Sequence, residues 1–352
     1  MSLSRPSSIP FAFITGLLSR TSAAHEVAAL THVGASQVAA TLTAKTFWSD
    51  HDLSTWAKNS PANAYLVFDF VMVEHYGTEM QGLEFQYCGG SSITAFSHRF
   101  SSLAFVKPGH DPVALGFDYA VSRNLQTEAY SYFTASQLLI ASIECVREKG
   151  ICFRGVVVDA EFTSDEVISY CLDNKVSLLG RIKSNRKVIY DGKHLSLNTL
   201  AELFPPRDCH YTSKFKWRSK RVKVILGGRE MEIVINYRKQ NGVWKAFFLV
   251  STFPPEEITL GELLRAWKAR WGIEVIHRLV KQNLSFGKCR YRHIMAHRNW
   301  AYLVVEALHA VLDVRKRNPG LTWRAAQLQA AQEHQEVVRT ALFAACPLLE
   351  AV

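Results

Sequence analysis

The sequence predicts an α/β protein: a mixed sheet flanked by helices, interrupted by an antiparallel β insertion and bounded by helical N- and C-terminal regions. Between residues 61 and 190, apolar strand-like runs alternate with amphipathic helical ones, the order that builds a sheet covered by helices. Between 191 and 254 the texture becomes β-rich, with Gly-Gly and Asn-Gly pairs between the runs, both good hairpin signals. Before 61 and after 254, apolar residues recur at helical spacing.

The elements follow in order. "MSLSRPSSIPFAFITGLLSRTSAA" imitates a signal peptide, but Pro10 inside the apolar run and Arg20 closing it make it a lead-in to a helix. In "AAHEVAALTHVGASQVAATL", Gly34 suits a turn and Ser36 suits a helix cap. This is a helix-turn-helix candidate for DNA binding, although two packed helices with no such role give the same pattern. After the linker-like "KNSPAN", "AYLVFDF" reads as a buried strand with Asp69 at its end. "LEFQY" and "SLAFVK" add strands, and a helix over about Thr134 to Arg147 stops at Gly150. "FRGVVVDAEF" is an apolar strand ending in Asp159, followed by a helix capped by Ser164 and the strand "VSLLGRIK". "RVKVILGGREMEIVINYRKQNGVWKAFFLVST" gives the β insertion. Helix resumes near Glu256, through a segment to about 298, and continues over 299–352.

At 352 residues and 48% hydrophobic content the chain can bury a full core. Its net charge is +10 although only 20% of its residues are charged, because the excess is clustered. Arg265 to Arg298 holds nine Lys/Arg and one acid, and Arg181 to Lys223 holds twelve against three. Such clustering suits a polyanion, most often nucleic acid; a basic enzyme with small anionic substrates is the blander reading. The seven cysteines are scattered and no pair has zinc-knuckle or redox spacing, which fits a reduced cytosolic setting. No apolar run reaches the length of about eighteen residues that a membrane span requires.

Asp69 and Asp159 sit where ligands bind in α/β folds, at strand ends, although an Asp there is often only a turn former or cap. A third acid alters the weighting. On a helical projection of "WKARWGIEVIHRLVK", Trp267, Arg270, Glu274, His277 and Lys281 share one face, within about 80°. Leu264, Trp271, Val275, Ile276, Leu279 and Val280 occupy the remaining arc, predicted to pack on the sheet. A salt-bridged surface helix would space several acids four residues from bases; here one acid stands among many bases. Three convergent carboxylates could hold two Mg²⁺ ions, which accept phosphate and water as further ligands.

These residues resemble a DDE transposase of bacterial insertion sequences, from the group with a Tyr-Arg-Glu-Lys signature in its last catalytic helix. Trp267, Arg270, Glu274 and Lys281 keep that signature's spacing, with Trp267 in place of the tyrosine. "LVFDFVMVEHYG" and "GVVVDAEF" resemble the two aspartate motifs, and "GRIKSNRKV" is similar to the family's segment after the next strand. The resemblance covers about Ala64 to Arg298. It implies an RNase H-like catalytic domain, cleavage of transposon ends and transfer of 3′-hydroxyls to target DNA, by a homodimer in a synaptic complex. It implies two Mg²⁺ ions, or Mn²⁺, held by Asp69, Asp159 and Glu274, in a bacterial cytoplasmic, nucleoid-associated setting. Arg270 and Lys281 would hold phosphates beside Trp267, with Arg181, Lys183, Arg186 and Lys187 as further DNA contacts. His277 is a DNA contact or a residue that orients the helix. An aromatic in the insertion can hold a flipped base in related enzymes, for which Trp217 is the first candidate and Trp244 the second; core packing is the commoner role. Glu161 and Glu74 are either supporting acids or solvated surface. A domesticated or decayed transposase acting as a DNA-binding regulator, and a metal-dependent nuclease without strand transfer, are the alternative functions.

Overall fold

A computed structural model describes residues 9–19, 35–44, 50–75, 77–89, 92–127 and 130–345. Among the described residues the first elements are α1 (Ile9–Leu18), α2 (Ala35–Ala44) and α3 (Asp50–Ala57). The apolar run that imitates a signal peptide forms α1, which buries Phe13, Ile14, Leu17 and Leu18. The first helix and the turn of the helix-turn-helix candidate lie outside the described residues. Its second helix is α2, where Ser36 falls in the first turn and the Leu42 carbonyl accepts a 2.6 Å bond from Asn299.

Strands β1 (Tyr65–Glu74), β2 (Glu84–Cys88), β3 (Ile93–Val106) and β4 (Val113–Tyr119) follow, then α4 (Ala135–Glu148), β5 (Gly155–Val158), α5 (Asp165–Asp173) and β6 (Leu178–Ile182). Helix α4 starts from a capping box in which Thr134 and Gln137 satisfy each other's backbone N–H groups. Ser164 caps α5. β1 pairs antiparallel with β3 on one side and parallel with β5 on the other, and β5 pairs parallel with β6. β4 lies on the far side of β3. This is the mixed sheet expected from the sequence, and its central strands β1, β5 and β6 are largely buried, as strands covered on both faces are.

The insertion contains β7 (Lys187–Tyr190), β8 (Lys193–Ser196), α6 (Leu197–Glu202), β9 (His210–Thr212), β10 (Trp217–Leu226), β11 (Arg229–Gln240) and β12 (Val243–Ser251). Its two long hairpins turn at Gly227–Gly228 and Asn241–Gly242, all four with positive φ, as two-residue turns of the I′ kind require. β12 pairs antiparallel with β6, so the insertion extends the central sheet to twelve strands among the described residues. The chain then returns in α7 (Leu260–Ala269), α8 (Trp271–Gln282), α9 (Ile294–Arg317) and α10 (Trp323–Ala345). α9 is buried along most of its length, and Phe13 of α1 meets its Trp300 edge-on at 5.9 Å.

Two expectations need correction. Asp69 is not at the end of its strand: β1 runs on to Glu74, since β3 remains as its partner there. The stretch "WKARWGIEVIHRLVK" is not one unbroken helix but α7 and α8 meeting at Arg270, whose backbone stays right-handed helical. Gly272 lies just past that junction. A Cβ there would come within 2.9 Å of Val106 and 3.0 Å of Pro112, so glycine is what lets the helix start approach the sheet.

Candidate active site

The parallel pairing of β1 and β5 aligns Tyr65 with Gly155, Leu66 with Val156 and Val67 with Val157. The same register carried two residues further sets Asp159 beside Asp69. β5 ends at Val158, so beyond that point β1 keeps a neighbour only on the β3 side. The opening beside it holds both carboxylates. Each uses one oxygen locally: Oδ1 of Asp69 accepts from the Phe70 N–H and Oδ1 of Asp159 from the Ala160 N–H, both at 2.8 Å. Their Oδ2 atoms face Arg270, at 3.7 Å for Asp69 and 3.5 Å for Asp159.

Glu274 reaches the same place from α8, one helical turn beyond Arg270. Asp69 records its presence. Burial, then the Glu274 charge and the Asp159 charge, push the Asp69 carboxyl up to about 7, against the Phe70 N–H and the Arg270 guanidinium. Three acids therefore share a space in which Arg270 is the cation beside both aspartates. Arg270 is half-buried, its side chain 11% exposed, and its buried Nη1 has no hydrogen-bond partner. The cluster thus combines excess negative charge with a buried donor lacking an acceptor. Its donors are all oxygen, the set that hard divalent ions such as Mg²⁺ and Mn²⁺ prefer.

His277 lies on α8, three residues beyond Glu274. It is buried, with Nε2 2.7 Å from Ser102 Oγ, and Ser102 donates to the Asp69 carbonyl at 3.0 Å. Since the serine proton goes to that carbonyl, His277 supplies the proton on its side. Burial and the charges of Lys281 and Arg270 push the His277 imidazole down to about 3, so it is neutral. Its 3.9 Å approach to Glu274 is then no salt bridge. Through Ser102, His277 ties α8 to β1 at the Asp69 backbone. Sequence reading missed Ser102, whose role exists only because β1–β3 pairing sets it opposite Asp69.

Trp271 also departs from the projection, which placed it on the packed arc: it is 56% exposed. The break at Arg270 shifts the start of α8 away from the ideal rotation. Lys281 is exposed, yet partial desolvation holds its ammonium below the usual range, against the pull of Glu74 and Glu274. Glu74 therefore borders the site. Burial raises the Glu161 carboxyl, Arg99 opposes this, Asp159 adds to it and Lys183 opposes it.

A cavity of about 540 Å³ adjoins the carboxylates, with Arg181, Trp217, Trp267, Lys268 and Arg270 among its walls. Arg270 lies 5.0 Å from the Trp267 ring centroid and belongs to both spaces. Trp217 is 8% exposed, wedged 5.0 Å from Phe247 with the Lys268 ammonium 4.6 Å over its ring. It is a packed residue that forms part of the cavity wall. Arg238 and Phe247 also line this space, and no sequence signal pointed to them, since the insertion is placed by long-range pairing. Trp244 sits away from that wall between Arg218 and Lys239, each 5.8 Å from its ring. Lys183 and Arg181 line an adjoining hollow of about 300 Å³. Arg186 is ion-paired to Asp165 and Lys187 is exposed at the start of β7.

Among the described residues, no helix is long and apolar enough to cross a membrane. Residues 135–308 match the family model for the transposase DDE domain. Asp159 and Glu274 fall inside that span, whereas Asp69 precedes it. No curated protein matches the chain. Among solved structures it is similar to piggyBac transposase, seen by cryo-electron microscopy in a synaptic complex with hairpin DNA, at 12% identity and a TM-score of 0.46. That alignment covers 80% of this chain and 54% of the other, so the chain spans about half the length of that protein.

Proposed function

We propose that the chain is a catalytically competent transposase that cleaves transposon ends and joins the freed 3′-hydroxyls to target DNA. The observation that carries this reading is the Arg270 guanidinium lying between Asp69 and Asp159, beside a third acid that helps to push Asp69 up to about 7. Asp69, Asp159 and Glu274 would hold the divalent ions, two Mg²⁺ with Mn²⁺ able to substitute. Such ions supply an activated attacking oxygen and a stabilised leaving oxygen for in-line displacement at phosphorus. Arg270, freed from counter-charge duty, turns its buried Nη1 to a phosphate oxygen. Lys281 holds a second phosphate near Glu274. Ser102 and His277 keep α8, and with it Glu274, at a fixed distance from β1. Arg181, Lys183 and Lys268 extend the cationic surface toward double-stranded DNA, the partner that fits the clustered charge. The transposon and target DNAs are brought together by a homodimer at the bacterial nucleoid.

The test is cleavage of the element's own terminal repeats with Mg²⁺ or Mn²⁺. Asp159→Ala is expected to lower the rate by on the order of 10³-fold or more, the loss of several kcal/mol of transition-state stabilisation. Cutting retained by that variant sinks the metal assignment. A second reading, a DNA-binding regulator without cleavage, is favoured by Trp267, which lacks the phenolic oxygen of the family's tyrosine. Tight binding of the repeats with no metal-dependent nicking by the wild-type protein supports it instead. Nicking with no joining of cut ends to a second DNA marks a nuclease.

A further inference from the structure

Away from the carboxylates, three histidines from distant parts of the chain meet in the core. His75 follows β1 directly, His98 lies in β3 and His297 lies in the first turn of α9. All three are buried, at 8%, 0% and 2% exposure. Their ring centroids are 4.7, 4.2 and 5.3 Å apart, and one ligand nitrogen from each lies within 4.8 Å of the other two.

The hydrogen bonds fix the tautomers. His98 Nε2 is 2.8 Å from the Gln81 carbonyl oxygen and His297 Nε2 is 2.7 Å from the Tyr291 carbonyl oxygen. A carbonyl only accepts, so both Nε2 atoms carry protons, and in a neutral ring each Nδ1 is left with its lone pair. His75 Nε2 lies 2.9 Å from His98 Nδ1, already directed at the same point. Two imidazoles anchored through N–H to backbone carbonyls, with lone pairs turned toward a third, is the outer-shell arrangement that metal-binding histidines use.

We propose that His75, His98 and His297 form a structural transition-metal site of the three-imidazole type, suited to Zn²⁺. Nitrogen donors select Zn²⁺ over Mg²⁺, the reverse of the all-oxygen carboxylate cluster. Tetrahedral Zn–N bonds of 2.0–2.1 Å place ligand nitrogens about 3.3 Å apart. The present spread closes to that with small side-chain movements, His75 carrying its proton on Nδ1 and a water completing the shell. Burial supports the neutral rings: it pushes His75 down to about 4 and His297 down to about 3, and lowers His98. His75 is six residues beyond Asp69 on an extended backbone, about 20 Å away at strand rise, so the two metal sites are separate.

The metal would clamp the end of the β1–β3 pair to the start of α9. The surrounding loops already point to that role. Gln81 N–H donates to the Arg292 carbonyl at 2.8 Å, and Gln81 Oε1 accepts from the Ile294 N–H at 3.3 Å. Each bond crosses from the β1–β2 loop to the segment leading into α9, and the histidines join the same two segments from inside.

The full chain, stripped with a chelator, is titrated with Co²⁺ and separately with Zn²⁺. The expected results are one equivalent of Zn²⁺ by elemental analysis, the visible absorption of four-coordinate Co²⁺, and a Tm raised by several degrees with Zn²⁺ but not with Mg²⁺. His297→Gln is expected to abolish the Co²⁺ band, while Asp159→Asn leaves it. If His297→Gln does not fold, the Zn²⁺-specific Tm rise of the wild type, retained in Asp159→Asn, carries the test. Zn²⁺ well below one equivalent with no Co²⁺ band and no Tm rise overturns the proposal. So does a band that survives His297→Gln and disappears in Asp159→Asn.

Discussion

Ser102, His277 and Asp69 form a line of contacts in which a single hydroxyl joins α8 to β1. Removing it in Ser102→Ala leaves the buried His277 N–H without an acceptor. Urea denaturation should show a loss of roughly 1–3 kcal/mol, with cleavage reduced although no proposed metal ligand has changed. Trp267 invites the opposite kind of substitution. Its ring lies against Arg270 and lines the cavity, so Trp267→Tyr keeps an aromatic wall and restores a hydroxyl. Cleavage by Trp267→Tyr is expected to match or exceed the wild type, whereas Trp267→Ala should lower it by about tenfold, the scale of one lost cation–π contact near 1–2 kcal/mol. Asp159, Glu274 and Arg270 were legible because their spacing is a property of the chain itself. Ser102 was not, because a serine in a strand acquires meaning only from its partner across the sheet.

At the scale of elements, the junction of α7 and α8 controls where Glu274 points. Gly272→Ala would press a methyl into Val106 and Pro112. The expected cost is about 1–3 kcal/mol of stability, as for other overpacked sites, together with slower cleavage as α8 is displaced from β1. A thermal melt paired with the cleavage assay checks both. The insertion contributes Trp217 to the cavity beside Arg270. If that wall receives a base, Trp217→Ala should impair hairpin formation while sparing DNA binding; equal losses of both would assign the residue to packing alone. The two long hairpins of the insertion were readable from their Gly-Gly and Asn-Gly turns. Their attachment to β6 was not, because pairing between strands more than sixty residues apart leaves no local pattern. The break at Arg270 was equally hidden, since ideal helical rotation assumes an unbroken helix, and Trp271 was misplaced for that reason.

Across the whole molecule, one sheet carries both aspartates and the insertion, and α9 is packed against it, buried along most of its length. His309 of α9 is buried, stacked 5.6 Å from Trp56 and bonded at 2.8 Å to the Ala114 carbonyl. Burial holds its imidazole down to about 4, with the Lys316 charge adding to the effect. The unfolded chain takes up that proton near pH 6.5 and the folded chain refuses it until about 4, so stability is full above the window and is lost as pH falls through it. Denaturation midpoints should decline from pH 6.5 toward 4, and His309→Gln should reduce the slope by up to about 1 kcal/mol per pH unit. The fold class followed from alternating apolar runs, a signal spread over the whole chain. The buried histidine network left no such trace, since His75, His98 and His297 become neighbours only through the fold.

In the proposed mechanism Asp69, Asp159 and Glu274 act as one metal centre. Mn²⁺ binding to the full chain, measured by calorimetry for the wild type and for Asp69→Asn, Asp159→Asn and Glu274→Gln, tests it most directly. Each substitution is expected to weaken binding by at least about tenfold, the loss of one hard oxygen ligand. Wild-type affinity in Glu274→Gln would contradict it, because the helix would then stand outside the site its spacing assigns to it.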